Sequence, residues 1–375
     1  MLYFDNAATT PMSDAAIKAL YDVSLNQFGN PSSNYGIGRK AKEILEESRR
    51  IIANCIGAEN DEIVFTSGGT EGNNWVIKKG SSTSSRIITT EIEHHAILNP
   101  AEELRKLGIS VDYLPVDEKC SVTPSILASS LDGSEVLVSI MLQNNETGSI
   151  QRVRELSEIV HRNNRKSLFH TDAVQAVGHI PIDVKELDVD FLSASAHKFN
   201  GPKGVGFLYL KRELNPFILG GGQEKGLRSG TENIAGIYSM AKALEDNVCN
   251  MHNNKEHIGA LEQMFFELLR KTSIDFKVNA DSDSRAIGIV NLAIKGVDGE
   301  GLQNALDLND ICISIGSACN SKTKQQSHVL TAMGLDSETI DSSVRISLGR
   351  YNTKEDIQTL VTYIKKYCDL VKCYS

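Results

Sequence analysis

Between Ser13 and Leu244, short β-branched or apolar runs alternate with longer helix-compatible stretches. No other feature of the 375-residue chain narrows its fold as much. IVF at 63–65, RIITT at 86–90, EVLVSIM at 135–141, SLFHTD at 167–172, VDFLS at 189–193 and GVGFLYL at 204–210 read as strands, and stretches such as Gly38–Cys55 and Val153–Asn163 suit helices. This alternation predicts an α/β fold built on a largely parallel sheet with helices on both faces. Sheets of that kind bind ligands at the carboxyl ends of their strands.

Beyond Leu244 the texture changes. The polar, Asn-rich stretch 247–255 reads as a connection, followed by an amphipathic helix at 256–271. Strands at 286–294 and 344–348 with helices at 300–308 and 354–371 predict a smaller α+β unit. The length alone favours two domains. A net charge of -9 weighs against a chain that grips nucleic acid directly. No apolar run reaches membrane-spanning length, and the first residues, MLYFDNAATTP, do not read as a signal peptide, so a cytoplasmic location is expected. The seven cysteines are scattered and form no CxxC pair, which points away from a zinc site or disulfide framework and towards thiol chemistry.

The residues that interrupt this pattern carry the chemistry. In SASAHKFNGPKGVG (193–206), Lys198 falls in a tight turn between two strands, among small residues that let another molecule approach the backbone. TSGGTEGNN at 66–74 follows a strand and opens a helix, where backbone amides and the Thr70 hydroxyl would make a phosphate cradle. Such a turn is by itself as often only a turn. Asp172 ends an apolar strand, where a carboxylate is costly unless it meets a cation or caps a helix. A lysine that condenses with an aldehyde, an acid for a pyridinium nitrogen and a phosphate cradle are together what pyridoxal phosphate demands of a protein.

At this point the chain resembles the NifS/IscS-like cysteine desulfurases, fold-type-I pyridoxal-phosphate enzymes of the class V aminotransferase family. The segments that carry the resemblance are YFDNAATTP, FGNPSS, IVFTSGGTEGNN, EIEHHA, NNETG, HTDAVQAVGHIPID, SAHKFNGPKGVG, LRSGTEN, GSAC and VRISLGR, spread over residues 3–350. The resemblance implies a mainly parallel seven-stranded sheet in a large domain over 14–250. A small α+β domain would be formed by 1–13 and 251–375 and would carry the catalytic cysteine.

It also implies roles. Lys198 would carry pyridoxal 5'-phosphate, Asp172 would pair with the pyridine nitrogen, Gln175 would bond the phenolic oxygen, and His94 would stack on the ring and shuttle protons. Gly69, Thr70, Ser195 and His197 would hold the phosphate, and Thr231 would reach the phosphate of a partner subunit in a homodimer. Arg345 and Asn145 would bind the carboxylate of L-cysteine, with Asn145 also near the cofactor. Cys319 would attack the substrate sulfur, become a persulfide and pass sulfur to an acceptor protein. No metal, nucleic acid or membrane is expected as a partner.

Two departures bear on delivery. After Cys319 the chain reads NSKTKQQS, without the Leu-Glu-Pro common in the family, and it stops at Ser375 soon after the final helix. Iron–sulfur assembly, DNA phosphorothioation and tRNA thiolation all stay open as destinations. The alternatives in activity are a selenocysteine lyase or another pyridoxal-phosphate enzyme of the same fold, and a non-catalytic interaction scaffold. A thiol expected on a long polar stretch and the intact site set weigh against all three. Cys55, Cys249 and Cys312 read as small buried hydrophobes, and Cys368 and Cys373 as residues without a catalytic role.

Overall fold

The computed structural model describes residues 1–80, 84, 86–280, 285–315 and 326–374. Its main sheet has seven strands. In chain order they are β2 (Ile63–Thr66), β3 (Arg86–Thr90), β4 (Ser110–Leu114), β5 (Val136–Ser139), β6 (Leu168–Asp172), β7 (Phe191–Ser195) and β8 (Gly206–Leu210), after a two-residue β1 (Leu2–Tyr3) that lies elsewhere. Their spatial order is β2-β8-β7-β6-β5-β3-β4, and only β8 runs against its neighbours. Residues of β2, β5 and β7 are buried throughout. Continuous apolar runs in place of alternation are expected when helices cover both faces.

Both faces are covered. One packs Ala41, Leu45 and Ile52 of helix Gly36–Ile56, together with Ile237 and Leu244 of helix Ile234–Cys249, against Phe169, Leu192 and Phe207 of the sheet. The other packs Trp75 and Val76 of helix Gly69–Gly80 against Val64, Ile87 and Leu208. A separate core joins Phe4, Leu261 and Phe265 to Val290, Leu292, Val344 and Ile364. It lies on a three-stranded antiparallel sheet of β9 (Phe276–Val278), β10 (Ile289–Ile294) and β12 (Ser343–Ser347), with β10 in the middle. Here β1 also pairs in parallel with β11 (Ile311–Cys312), so the chain's first residues belong to the second core.

Three local expectations are corrected. Residues 247–255 are not a connecting loop, because the helices Ile234–Cys249 and Met251–Arg270 are separated only by Asn250. The buried amide of Asn247 donates to the carbonyls of Phe199 and Ala243, which makes a polar residue useful inside a packed helix. The edge strand β4 was not anticipated, since its SVDYL is only partly buried and carries Asp112. Cys249 is exposed and Cys55 and Cys312 are half-buried, whereas Cys120 and Cys368 are the buried thiols among the described residues.

Candidate active site

The carboxyl ends of β6 and β7, with the turn after β2, form one wall of the site. In register, Thr66 and Ser195 both face Gly206, and Asp172 faces Ser193. Gly206 has to be glycine. A Cβ there would lie 2.4 Å from the Ala194 carbonyl oxygen and 2.7 Å from Gly68 Cα, both backbone atoms that cannot turn aside. That close approach brings the turn at Gly68, Gly69 and Thr70 against the Ser195 strand end. The first amides of helix Gly69–Gly80 lack partners within the helix and attract anions.

A cavity of about 240 Å³ opens on this wall. Every site residue predicted within the described part of the chain lines it, except Thr231. Thr231 is exposed and does not line its own chain's cavity. Cys319 lies outside the described residues.

Asp172 is buried, accepts from Asn73 Nδ2 at 2.6 Å and from the Val174 amide at 2.9 Å, and forms no ion pair among the described residues. A buried carboxylate left in that state favours a cationic partner. Lys198 ends the short turn Ala196–Lys198 after β7, and its Nζ donates to the carbonyls of Ala7 at 2.6 Å and Ala8 at 2.9 Å. His197 shares a 3.1 Å hydrogen bond with the Thr9 hydroxyl, and Gln175 Nε2 donates to Ala7 at 2.8 Å. The strap of residues 5–10 therefore lies directly against the lysine turn. Burial, reinforced by Lys198 and Lys203, pushes His197 down to about 4, so its imidazole is neutral near pH 7.

His94 caps helix His95–Lys106, its Nδ1 accepting from the Ala96 amide at 3.0 Å. With Nδ1 committed as an acceptor, the neutral ring carries its proton on Nε2. Burial is the main cause that holds His94 below its ordinary value, with Lys198 and His328 acting in the same direction. The adjacent His95 does not line the cavity; its ring lies 4.8 Å from that of His328. Behind His94, Glu93 is fully buried and its carboxyl is pushed up to about 8, chiefly by desolvation. It accepts from Thr90 Oγ1 and the Met141 amide.

Arg345, from the middle of β12, reaches the cavity from the second core. It pairs with Asp5 at 2.7 Å and donates to the Asn145 carbonyl at 2.9 Å. Asn145 thus meets Arg345 through its main chain. Asn73 and Asp5 were missed as working residues by sequence reasoning, although both sit inside quoted segments. Their partners are 99 and 340 positions away, and no local spacing signals either contact.

These residues fit pyridoxal phosphate. A buried acid without an ion pair among the described residues, a lysine amine and the start of a helix beside Ser195 and His197 converge on one cavity, and they match the pyridinium, aldehyde and phosphate of that cofactor in kind.

Residues 2–360 match the family described as aminotransferase class-V. A cysteine desulfurase IscS of Dictyoglomus turgidum is 42% identical over 380 residues, covering 100% of this chain and 96% of the relative. A solved structure titled NifS-like protein superposes with a TM-score of 0.93 at 36% identity, covering 98% of this chain and 99% of that one. Another, titled SspA in complex with cysteine, has a TM-score of 0.83 at 32% identity, covering 94% of this chain and 100% of that one. The chain belongs to the aminotransferase class-V family, with the fold-type-I architecture. Within that family it stands among the NifS/IscS-like cysteine desulfurases.

Proposed function

We propose that the protein removes sulfur from L-cysteine, releasing L-alanine and leaving a persulfide on Cys319 for transfer to an acceptor. The observation that carries this is the convergence of Lys198, Asp172, His94 and Arg345 on one cavity. Each residue type answers one requirement of amino-acid chemistry on pyridoxal phosphate. Gly69, Thr70, Ser195 and His197 would hold the phosphate, Asp172 the pyridinium, and Gln175 the phenolic oxygen. When bound, the cofactor supplies an electron sink that stabilises negative charge next to the substrate α-carbon.

The chain's own groups do the rest. Arg345 binds the substrate carboxylate through its planar fork, with Asn145 beside it. The Lys198 amine moves the α-proton, and neutral His94, with its Nε2 proton, serves proton transfer in the cavity. The Cys319 thiolate forms a new sulfur–sulfur bond to the substrate Sγ. The carbon–sulfur bond breaks with its electron pair left on the carbon fragment, which takes up a proton and leaves as alanine. Atoms and electrons balance without an external oxidant.

The same reading includes a homodimer in which Thr231 reaches the partner's phosphate site, and a division into 14–250 against 1–13 with 251–375. Supporting the dimer, Ile17, Tyr21 and Leu25 make an exposed apolar stripe at helical spacing along helix Asp14–Asn26, beside exposed Phe28. The acceptor is expected to be a protein, given the net charge of -9. No helix among the described residues is long and apolar enough to cross a membrane, and a cytoplasmic location is part of the proposal. The test is mass spectrometry of the peptide containing Cys319 after L-cysteine is added without reductant. A gain of one sulfur atom there supports the reading, and an unmodified peptide from protein that still makes alanine contradicts it.

A further inference from the structure

The two-point grips by which a guanidinium takes a carboxylate pair Nη2 either with Nε or with Nη1. In Arg345, Nη2 already meets Asp5 Oδ1 at 2.7 Å. Nη1 is held by the Asn145 carbonyl at 2.9 Å, and Nε is buried without a hydrogen-bond partner among the described residues. The guanidinium is almost sealed, with its side chain 4% exposed against 19% for Asp5. Asp5 itself is fixed: it forms an isolated bridge with Ser347, two residues from Arg345, and the Tyr3 hydroxyl donates to its carbonyl at 3.0 Å. The first strap of the chain thus presents a carboxylate to the arginine that faces the cavity.

We propose that Asp5 is a positioning residue that acts as a resident counter-ion for Arg345, and that the substrate carboxylate is admitted by exchange for it. This rests on the reading of Arg345 as the carboxylate clamp. A buried cation without a counter-ion is strongly destabilising, so in the empty protein Asp5 supplies the charge that the substrate later brings. The exchange lowers the net affinity for any small carboxylate, because each must displace Asp5 or sit beside its negative charge. It also keeps the guanidinium oriented between turnovers.

Propionate tests this, since it has a carboxylate but neither an amine nor a sulfur to react. It is titrated calorimetrically into the cofactor-loaded wild type and into Asp5→Asn, Asp5→Glu and Arg345→Gln. Asp5→Asn should bind propionate about tenfold more tightly, the scale of one charge-assisted contact. Asp5→Glu should return the affinity towards wild type, and Arg345→Gln should abolish binding. Without propionate, Asp5→Asn should melt below wild type and gain more from its addition, because binding to the folded state alone raises stability.

Unchanged or weaker propionate binding in Asp5→Asn, with binding still lost in Arg345→Gln, overturns the exchange and leaves the clamp standing. Equal binding in every variant overturns the clamp as well. If Asp5→Asn does not fold, Asp5→Ser removes the same charge and is read by the same two outcomes.

Discussion

Asn73 donates its side-chain amide to Asp172 at 2.6 Å, while the Val174 amide holds the other carboxylate oxygen at 2.9 Å. The acid is therefore held at both of its oxygens. Asp172→Ala should lower turnover by about a hundredfold or more, as expected when one preorganised electrostatic group is removed from a site. Asn73→Ala leaves the charge but frees its orientation, and should weaken cofactor affinity by roughly tenfold, the scale of a hydrogen bond to a charged group. Alanine formation from L-cysteine measures the first effect, and titration of cofactor into stripped protein, followed by absorbance, measures the second.

The pH dependence should report His94. Burial holds it below the ordinary value of 6.5, so it is neutral above its lowered pKa and becomes charged only as the pH falls through that pKa. Activity that depends on neutral His94 should persist at pH 6.5 and fall on an acid limb lying below it. His94→Gln should cost about a hundredfold in kcat, within the range for a lost acid–base group, and should abolish that limb. A limb that survives the substitution belongs to another group.

His161 makes a stability prediction with the opposite sign. It lies between Asp188 at 3.0 Å and Asp190 at 2.9 Å, and chiefly the Asp190 hydrogen bond raises its pKa above 6.5. A group raised on folding contributes stability that is complete below its unfolded pKa and is lost as the pH rises through the folded one. His161→Ala should therefore destabilise the protein by about 1–2 kcal/mol near pH 6 and by less near pH 9. Thermal melts at the two pH values check it.

Glycine is required at 206 by sterics alone. An added Cβ meets backbone on both sides, so Gly206→Ala should cost more than about 2 kcal/mol and displace the turn at Gly68. Denaturant unfolding of the cofactor-free chain reads the first effect, and reduced cofactor affinity reads the second.

Much of this site was legible because its pieces are local. Lys198, Asp172 and the Gly69–Thr70 turn each follow a strand end, and an out-of-place polar residue there can be read from a few neighbours, whereas His94, Gln175, Asn145 and Arg345 entered only through the family resemblance. The alternating pattern likewise showed six of the seven strands of the main sheet. What stayed hidden was whatever depends on distant partners. The ion pair of Asp5 with Arg345 spans 340 positions, and nothing in YFDNAATTP distinguishes a working acid from a turn residue. Asn247 looked like part of a loop because its composition is polar, yet its amide is spent on the Phe199 carbonyl. The edge strand Ser110–Leu114 carries polar residues because it has a neighbour on one side only.

The most direct measurement is the formation of alanine and sulfide from L-cysteine in the presence of a reductant, comparing wild type with Cys319→Ala, both loaded with pyridoxal phosphate. Desulfuration through Cys319 predicts that wild type makes both products and that the variant binds the cofactor but makes neither. Equal activity in the two proteins would contradict it, and would remove Cys319 as the residue that takes the sulfur.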